Sequence, residues 1–286
     1  MSYNTMKPLL RRALALGVSC FLAGCALGRF AWPNDRVSRL MLEANVNLPA
    51  LPSSPTWRVD QVPQILHFVV PSDKKRWHAI WPLCMESWRR CFPQHLVLTW
   101  DDDDIIAFVN ATYPQFNELF KSYTLDVMRS DVVRYLLLHA HGGIYADADY
   151  QCVKPFTLPR GKASVALSPR RKEVVQNALM ASPASHPFWV FVMREVLSNA
   201  WSDNVFFATG PRVVAFAMVK APHGMFNGLP NNQFSRWPTS RRLDMFGVQQ
   251  DAVQLYKGKD TYAIHLGTCW WCTADAGFKI NAAIPS

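Results

Sequence analysis

The amino-acid sequence predicts an α/β fold with a parallel sheet, and three observations support this class. Short β-rich runs alternate with helix-like runs from residue 62 onward, which is the usual pattern of parallel strands joined by helices. Half of the 286 residues are hydrophobic and 18% are charged, so a large folded core is expected. A long apolar run ends at Gly142 and Gly143, directly before a short β-rich segment that carries two aspartates.

The N-terminal segment is the clearest sign of organisation along the chain. An uncharged run, "ALALGVSCFLAGCAL" (13–27), follows three basic residues. It is shorter than the roughly 20 residues of a membrane-spanning helix, although Phe30, Ala31 and Trp32 extend it beyond Arg29. A signal anchor, a cleaved signal peptide and an ordinary helix all remain possible. The predicted organisation is a cytoplasmic tail (1–12), a signal anchor or signal peptide (13–32), a stem (33–61) and one folded domain (62–286).

The elements of the domain follow from its periodicity and its proline residues. "VPQILHFVV" predicts a first strand between Pro63 and Pro71, and a helix is expected from about Trp77 to Cys91. "HLVLTW" predicts a second strand, which ends at four aspartates (101–104). These acids suit the N-terminus of the next helix, where they cap it and complement its dipole.

The run "TLDVMRSDVVRYLLLHAHGG" predicts a helix that ends at the two glycines. Asp131 and Arg134 are three residues apart, so they lie on one side of this helix. An ordinary surface ion pair is one interpretation of them. Because the helix directly precedes the strand with the two aspartates, the other interpretation is that both face the same cleft.

Two carboxylates one residue apart follow the glycines, in "GIYADADYQ". We expect a strand on which Asp147 and Asp149 point to one side and Ala146 and Ala148 to the other. Like charges on one strand face repel each other, so a cation is expected between them. Carboxylate oxygens favour Mg²⁺ or Mn²⁺, which keep positions for a substrate diphosphate. The sequence therefore predicts a divalent-metal site here.

Charge and cysteine content add weaker constraints. The net charge of +9 suits phosphate-bearing ligands or an acidic membrane surface; no nucleic-acid partner is expected. The seven cysteines do not form a disulfide framework, and "CWWC" (269–272) has redox-motif spacing without a thioredoxin-like unit around it. Of the five cysteines outside the apolar segment, at least one stays unpaired because the number is odd. The oligomeric state is not readable.

The block "RSDVVRYLLLHAHGGIYADADYQCVKPF" resembles the signature of glycosyltransferase family 32, the DXD-containing sugar transferases. This family includes α-mannosyltransferases and the mannosyltransferases that act on inositol phosphoceramide. Looser resemblances occur in the expected order in the first strand, "LTWDDDD", "QNALMASPASHPFW", "ATGP" and "AIHLGTCWW", and together they cover roughly residues 62 to 271. One departure is Cys269, which stands where the family usually has serine.

The resemblance implies a GT-A type nucleotide-sugar-binding fold, with a mixed, mainly parallel sheet flanked by helices, and Mn²⁺ (or Mg²⁺) as cofactor. It implies that Arg134 clamps phosphate in a bidentate way and that Trp100 stacks on the base of the nucleotide. The implied catalytic residues are Asp131, Arg134, Asp147 and Asp149. The implied donor-binding residues are Trp100, Asp131, Arg134, Tyr145 and Asp147, and the implied metal ligands are Asp147, Asp149 and His265.

The function implied is a retaining, metal-dependent transfer of a sugar from a nucleotide-sugar donor to a glycan or glycolipid acceptor. GDP-mannose is the expected donor, and mannose is the expected transferred sugar. The expected location is the Golgi membrane, as a single-pass type II protein with a lumenal catalytic domain, and the endoplasmic reticulum is the second choice. Two alternatives remain: a metal-dependent phosphohydrolase that uses Asp101 to Asp104 together with the DXD pair, and a catalytically inactive membrane protein that binds sugar nucleotides.

Overall fold

A computed structural model gives the fold and describes residues 61–168, 175–234 and 260–268. The predicted tail, the apolar segment and nearly all of the predicted stem lie outside the described residues, as does the "CWWC" motif. Within the described residues, no helix has the length and apolarity needed to cross a bilayer. The predicted boundaries at residues 12, 32 and 61 therefore stay predictions.

A six-stranded mixed sheet forms the centre of the domain, in the order β2-β1-β3-β6-β5-β7. The β1–β2, β1–β3 and β5–β7 pairs are parallel, and β6 runs antiparallel to both of its neighbours. A separate antiparallel pair joins β4 to β8. The strands are β1 (Ile65–Val69), β2 (Leu96–Trp100), β3 (Gly143–Ala146), β4 (Tyr150–Cys152), β5 (Ala163–Leu167), β6 (Val175–Ser182), β7 (Phe226–Leu229) and β8 (Ala263–His265).

Helices cover both faces of the sheet. They are α1 (Trp81–Cys91), α2 (Asp102–Thr112), α3 (Asn117–Ser122), α4 (Asp126–His141), α5 (Phe188–Ser198), α6 (Val205–Ala208), α7 (Pro211–Lys220) and α8 (Asn231–Phe234), with short 3₁₀ turns at Lys74–Arg76 and Pro114–Phe116. One hydrophobic cluster contains Tyr145 and Met180 and packs under α4, α5 and α7. The other contains Leu66 and Ile144 and packs under α1. Alternate strand residues therefore serve the two faces, and the predicted α/β class with a mixed, mainly parallel sheet is confirmed.

The two glycines after α4 fix the connection from helix to strand. Gly142 has φ 63° and Gly143 has φ 93°, in the region that favours glycine. A Cβ on Gly142 would lie 2.4 Å from the backbone nitrogen of Ala184, and one on Gly143 would lie 2.6 Å from the carbonyl oxygen of Ile65. Only glycine fits at both positions, so α4 can end directly against the start of β3.

The helix that follows β2 begins as the four aspartates predict. Asp101 caps α2 by accepting hydrogen bonds from the backbone N–H groups of Asp103 and Asp104, and the side chain of Asp104 reaches back to the N–H of Asp101. This reciprocal arrangement is a capping box. The helix ends at Thr112, ahead of the 3₁₀ turn that begins at Pro114.

Candidate active site

The candidate site lies at the edge of the sheet where the parallel strands end. Strands β1, β2, β3 and β5 share one direction, so their carboxyl ends meet at this edge, and antiparallel β6 begins there. In open α/β sheets, ligands bind outside the carboxyl ends of the strands. Asp147 follows β3 directly, and Gln176 and Asn177 occupy the start of β6.

The two aspartates of the DXD pair lie in a turn and not in a strand, which corrects the predicted strand. β3 ends at Ala146, and the N–H of Tyr150 donates to the carbonyl oxygen of Asp147 at 2.9 Å, closing a turn. Asp147 still points to the same side as Tyr145, whose hydroxyl donates to Asp147 Oδ1 at 2.7 Å. The turn, and not strand alternation, brings Asp149 back toward Asp147.

Arg134 is the centre of a buried network under this turn. Its Nη1 donates to Asp147 Oδ1 at 2.9 Å, and its Nη2 lies 3.1 Å from Asp131 Oδ1. The side chains of Asp131 and Arg134 are each 6% exposed, so they are not a surface pair and do face the DXD turn. The guanidinium also lies over the ring of Tyr145, with 4.8 Å to the ring centroid. The network links α4 to the end of β3.

The hydrogen bonds of Arg134 limit the phosphate clamp predicted for it. A guanidinium has five N–H groups. Two of them donate to Asp147 and to the carbonyl oxygen of Asn177, the Nε–H donates to the carbonyl oxygen of Ser130, and a fourth faces Asp131. One N–H remains, whereas a bidentate clamp needs two. In this arrangement Arg134 orients Asp147 and neutralises charge, and the clamp stays a prediction.

Asp131 is held by three side chains. Asn177 donates to its Oδ1 at 2.7 Å, and Thr209 donates to its Oδ2 at 3.0 Å, besides the contact with Arg134. Burial raises the pKa of Asp131 to about 6, and the charge of Arg134 opposes this rise. The donor-binding role implied for Asp131 stays a prediction, because both of its oxygens already accept hydrogen bonds within the protein.

Asp149 and His265 form the other half of the site. His265 Nε2 lies 3.2 Å from Asp149 Oδ1, and the ring of His265 stacks on Tyr150 with centroids 4.8 Å apart. The backbone N–H and the hydroxyl of Thr268 both donate to Asp149 Oδ2, at 2.8 and 3.0 Å. The predicted proximity of His265 to the DXD pair is thus present, and β8 provides it by pairing with β4.

One ligand atom from each of Asp147, Asp149 and His265 lies within 4.8 Å of the others. Oxygens on opposite sides of a bound Mg²⁺ are about 4.2 Å apart, so small side-chain movements would bring all three to one ion. Two carboxylates form a donor set that suits Mg²⁺ or Mn²⁺, and an imidazole is a further common metal ligand. Within the described residues this is the group of His, Cys, Asp and Glu side chains placed to hold a metal. Asp101 to Asp104 do not belong to it.

The pKa values of the two DXD carboxyls move in opposite directions. Burial raises the pKa of Asp147, Arg134 opposes that rise, and the negative charge of Asp149 adds to it. Burial also acts to raise the pKa of Asp149, but the charge and hydrogen bond of His265 and the hydrogen bonds from Thr268 outweigh it and lower the pKa. Two carboxyls this close do not ionise independently, because their negative charges repel each other. A divalent cation between them would relieve this repulsion.

Trp100 stands apart from this cluster. It ends β2 at the same sheet edge, but its indole N–H donates to His67 Nδ1 at 3.1 Å. Its ring stacks on His141 with centroids 5.9 Å apart and also packs near Phe108. Stacking on a nucleotide base would have to use the other face of the indole, and it stays a prediction.

Four residues of the network have no role in the sequence-based prediction: Gln176, Asn177, Thr209 and Thr268. The first three lie in two of the loosely matching segments, "QNALMASPASHPFW" and "ATGP". The resemblance therefore pointed to these segments without assigning a role to the three residues. Thr268 directly precedes Cys269, where the family has serine. Its hydroxyl contacts Asp149, so a hydroxyl reaches the site one position earlier in the chain.

A comparison with protein-family models gives a match that covers part of the site. Residues 79–167 match the family described as "Glycosyltransferase sugar-binding region containing DXD motif". The resemblance to DXD-containing sugar transferases is confirmed. The matched segment includes Asp131, Arg134, Tyr145 and both aspartates of the turn.

Curated relatives point to the same class of enzymes. The chain is 26% identical over 199 residues to inositol phosphoceramide mannosyltransferase 1 of Schizosaccharomyces pombe, covering 64% of this chain and 60% of the relative. It is 26% identical over 191 residues to mannosyl phosphorylinositol ceramide synthase CSH1 of Saccharomyces cerevisiae, covering 65% and 47%. The chain thus spans about half the length of these relatives. The expected relation to mannosyltransferases is confirmed.

Solved structures show more distant likenesses. The PaToxG glycosyltransferase matches with a TM-score of 0.46 at 17% identity, over 64% of this chain and 74% of that one. An active-site mutant of LgtC matches with a TM-score of 0.41 at 9% identity, over 70% and 86%.

Proposed function

We propose that this protein is a metal-dependent glycosyltransferase with a GT-A type domain. It would transfer a sugar to a glycan or glycolipid acceptor, with retention of the anomeric configuration. GDP-mannose is the first donor to test, with mannose as the transferred sugar. The observation that carries the proposal is the convergence of Asp147, Asp149 and His265 within 4.8 Å, inside or beside the segment that matches the DXD family. The names of the relatives support mannose and a lipid-linked acceptor.

The chemistry assigned to the site is departure of a nucleoside diphosphate. The bond between the anomeric carbon of the sugar and the diphosphate oxygen breaks, and the anomeric carbon bonds to an acceptor hydroxyl, which loses its proton. A divalent ion at the DXD turn would offset the negative charge that develops on the leaving diphosphate. Arg134 and Tyr145 hold Asp147 in place for this role, and Thr268 holds Asp149.

Attachment to a Golgi membrane is part of the proposal and rests on the sequence of residues 13–32. A lipid-linked acceptor would place the substrate at a membrane surface, which agrees with an anchored enzyme. The net charge of +9 would favour approach to an acidic surface.

The test is donor hydrolysis by the full chain, in which water takes the place of the acceptor. GDP-mannose, UDP-galactose, UDP-glucose and UDP-N-acetylglucosamine are each offered with Mn²⁺ and with a chelator, and the released nucleoside diphosphate is measured. We expect release from one donor, its loss with chelator, and its loss in Asp149→Asn. Asp203→Asn, at an exposed position, is the matched control and should behave as the wild type.

Three outcomes would count against the proposal. Release that ignores both the chelator and Asp149→Asn would remove the metal site from the reaction. Release of inorganic phosphate, without nucleoside diphosphate, would favour the phosphohydrolase. Tight donor binding in calorimetry, with no release and no transfer to mannose-accepting glycans or inositol phosphoceramide, would favour the inactive binding protein.

A further inference from the structure

We propose that Gln176 is a positioning residue that fixes the orientation and tautomer of His265 for metal binding. This inference rests on the proposed metal site, and it assigns a role to a residue that the sequence-based prediction did not name. Gln176 is the second residue of β6 and is 9% exposed. Its side chain connects the end of β5 to His265 on β8.

The contact with Leu167 sets the orientation of the Gln176 amide. Its Nε2 lies 3.2 Å from the carbonyl oxygen of Leu167 and donates to it. A backbone carbonyl only accepts hydrogen bonds, so the NH₂ group must face Leu167. The side-chain oxygen of Gln176 must then face the other way, toward His265. A strand carbonyl of the sheet therefore settles which end of the amide meets the histidine.

The contact with Gln176 sets the tautomer of His265. Oε1 of Gln176 lies 3.0 Å from Nδ1 of His265. Because this oxygen can only accept, Nδ1 must carry the proton that joins them. In a neutral imidazole, Nε2 then holds the lone pair, and a metal-binding histidine uses such a lone pair.

This nitrogen faces the DXD turn. Nε2 of His265 points at Asp149 Oδ1, 3.2 Å away. A proton on Nε2 joins it to this oxygen in the metal-free protein, and a cation shared with Asp149 and Asp147 would take the place of that proton. Tyr150 stacks on the ring with an interplanar angle of 10°, which limits its tilt. The hydrogen bond to Gln176 limits the remaining freedom of the His265 ring, which is rotation about the bonds of its own side chain. Partners of this kind change metal affinity by about 10- to 100-fold.

The test compares Mn²⁺ affinity in three variants of the full chain, with calorimetry as readout and no donor present. Gln176→Met keeps the length of the side chain and removes the acceptor, and we expect Mn²⁺ to bind about 10- to 100-fold more weakly. Gln176→Glu keeps an acceptor at Nδ1 but loses the donor to Leu167, so it should recover only part of the lost affinity. The control is Asn231→Ala, which removes an amide donating to the carbonyl of Ser168, beside Leu167; it should bind as the wild type.

A spectroscopic measurement on the wild-type protein does not depend on whether the Gln176 variants fold. In the Mg²⁺-loaded protein labelled with ¹⁵N-histidine, we expect His265 to show a protonated Nδ1 and a metal-facing Nε2. The signal is assigned through its loss in His265→Asn. A protonated Nε2 in this state would overturn the proposal.

The outcomes separate this inference from the proposed function. Mn²⁺ binding in folded Gln176→Met that equals the wild type overturns the role of Gln176 and leaves the metal site standing. Wild-type protein that binds no Mn²⁺ overturns both. Mn²⁺ binding that depends on Gln176, in a protein that neither releases nucleoside diphosphate from any donor nor transfers sugar to any acceptor offered, supports the positioning role and contradicts the transferase.

Discussion

At the scale of single residues, Arg134 makes a buried group of acids tolerable. Asp131 and Asp147 both approach its guanidinium, and water has little access to the pair with Asp131, because both side chains are 6% exposed. Isolated buried carboxylates are costly, and they persist in proteins when they are paired and hydrogen-bonded. Removing the Arg134 guanidinium therefore lowers the stability of the fold, besides any effect on ligand binding.

We expect Arg134→Met to lower the free energy of unfolding by about 3–5 kcal/mol, because it leaves Asp131 as an uncompensated buried charge. Adding Asp131→Asn to this variant should recover part of the loss. The control is Arg89→Met. Arg89 pairs with Glu86, and both side chains are about half exposed, so this variant should change the free energy of unfolding by at most about 1 kcal/mol. Denaturant unfolding of all four proteins is the measurement, and equal losses in Arg134→Met and Arg89→Met would contradict this account.

At the scale of elements, α1 supports the chain that follows the DXD turn. Trp88 donates to the carbonyl oxygen of Tyr150 at 2.6 Å, and Ser87 accepts from the N–H of Cys152 at 2.9 Å. A disulfide joins Cys91, at the end of α1, to Cys152, at the end of β4. The helix and β4 therefore form one unit that fixes the position of Asp149.

We expect Cys91→Ala with Cys152→Ala to lower the free energy of unfolding by about 2–4 kcal/mol, because the disulfide closes a loop of 61 residues in the unfolded chain. Reduction of the wild type should give a similar loss, whereas the double variant should not respond to reductant. Cys84→Ala is the control for thiol effects, since Cys84 is buried and unpaired, and it should keep the response to reductant. Thermal unfolding with and without reductant decides between these cases.

Local patterns predicted strands β1 and β2 and helices α1, α2 and α4, because each of these is governed by nearby residues. The aspartates after β2 form a capping box, and the two glycines end α4, as their spacing indicates. The position of Asp149 could not be predicted in this way. It depends on β4 leaving the sheet to pair with β8, more than a hundred residues later in the chain. The Gln176 contact with His265 and the Cys91–Cys152 bond are long-range for the same reason.

At the scale of the whole molecule, buried histidines link the fold to pH. His67 is fully buried on β1, where its Nε2 contacts the carbonyl oxygen of Gly142 and its Nδ1 accepts from Trp100. Burial lowers its pKa to about 4, partly opposed by the hydrogen bond to Gly142. Burial likewise lowers the pKa of His186 to about 4, against a hydrogen bond to Gly161. Both residues are neutral in the folded protein near neutral pH.

We expect these histidines to destabilise the fold as the pH falls from about 6.5 toward 4. In this window the unfolded chain takes up protons that the folded chain does not. Each histidine therefore lowers the free energy of unfolding by up to about 1.4 kcal/mol for each unit that the pH falls. Asp131 acts in the opposite direction, because its raised pKa lets the folded protein bind the extra proton. The wild-type curve alone is therefore a sum of opposing contributions, and a variant is needed to isolate one histidine.

His67→Gln isolates that contribution, because glutamine can donate to Gly142 and accept from Trp100 without titrating. We expect its free energy of unfolding to fall less steeply than that of the wild type between pH 6.5 and 4.5, by up to about 1.4 kcal/mol per pH unit. Above pH 7 the two curves should run parallel, since His67 is then neutral in both states. Denaturant unfolding at half-unit steps of pH measures the difference. Curves that stay parallel throughout would mean that His67 titrates alike in the folded and unfolded chains, so its burial would not oppose its charge.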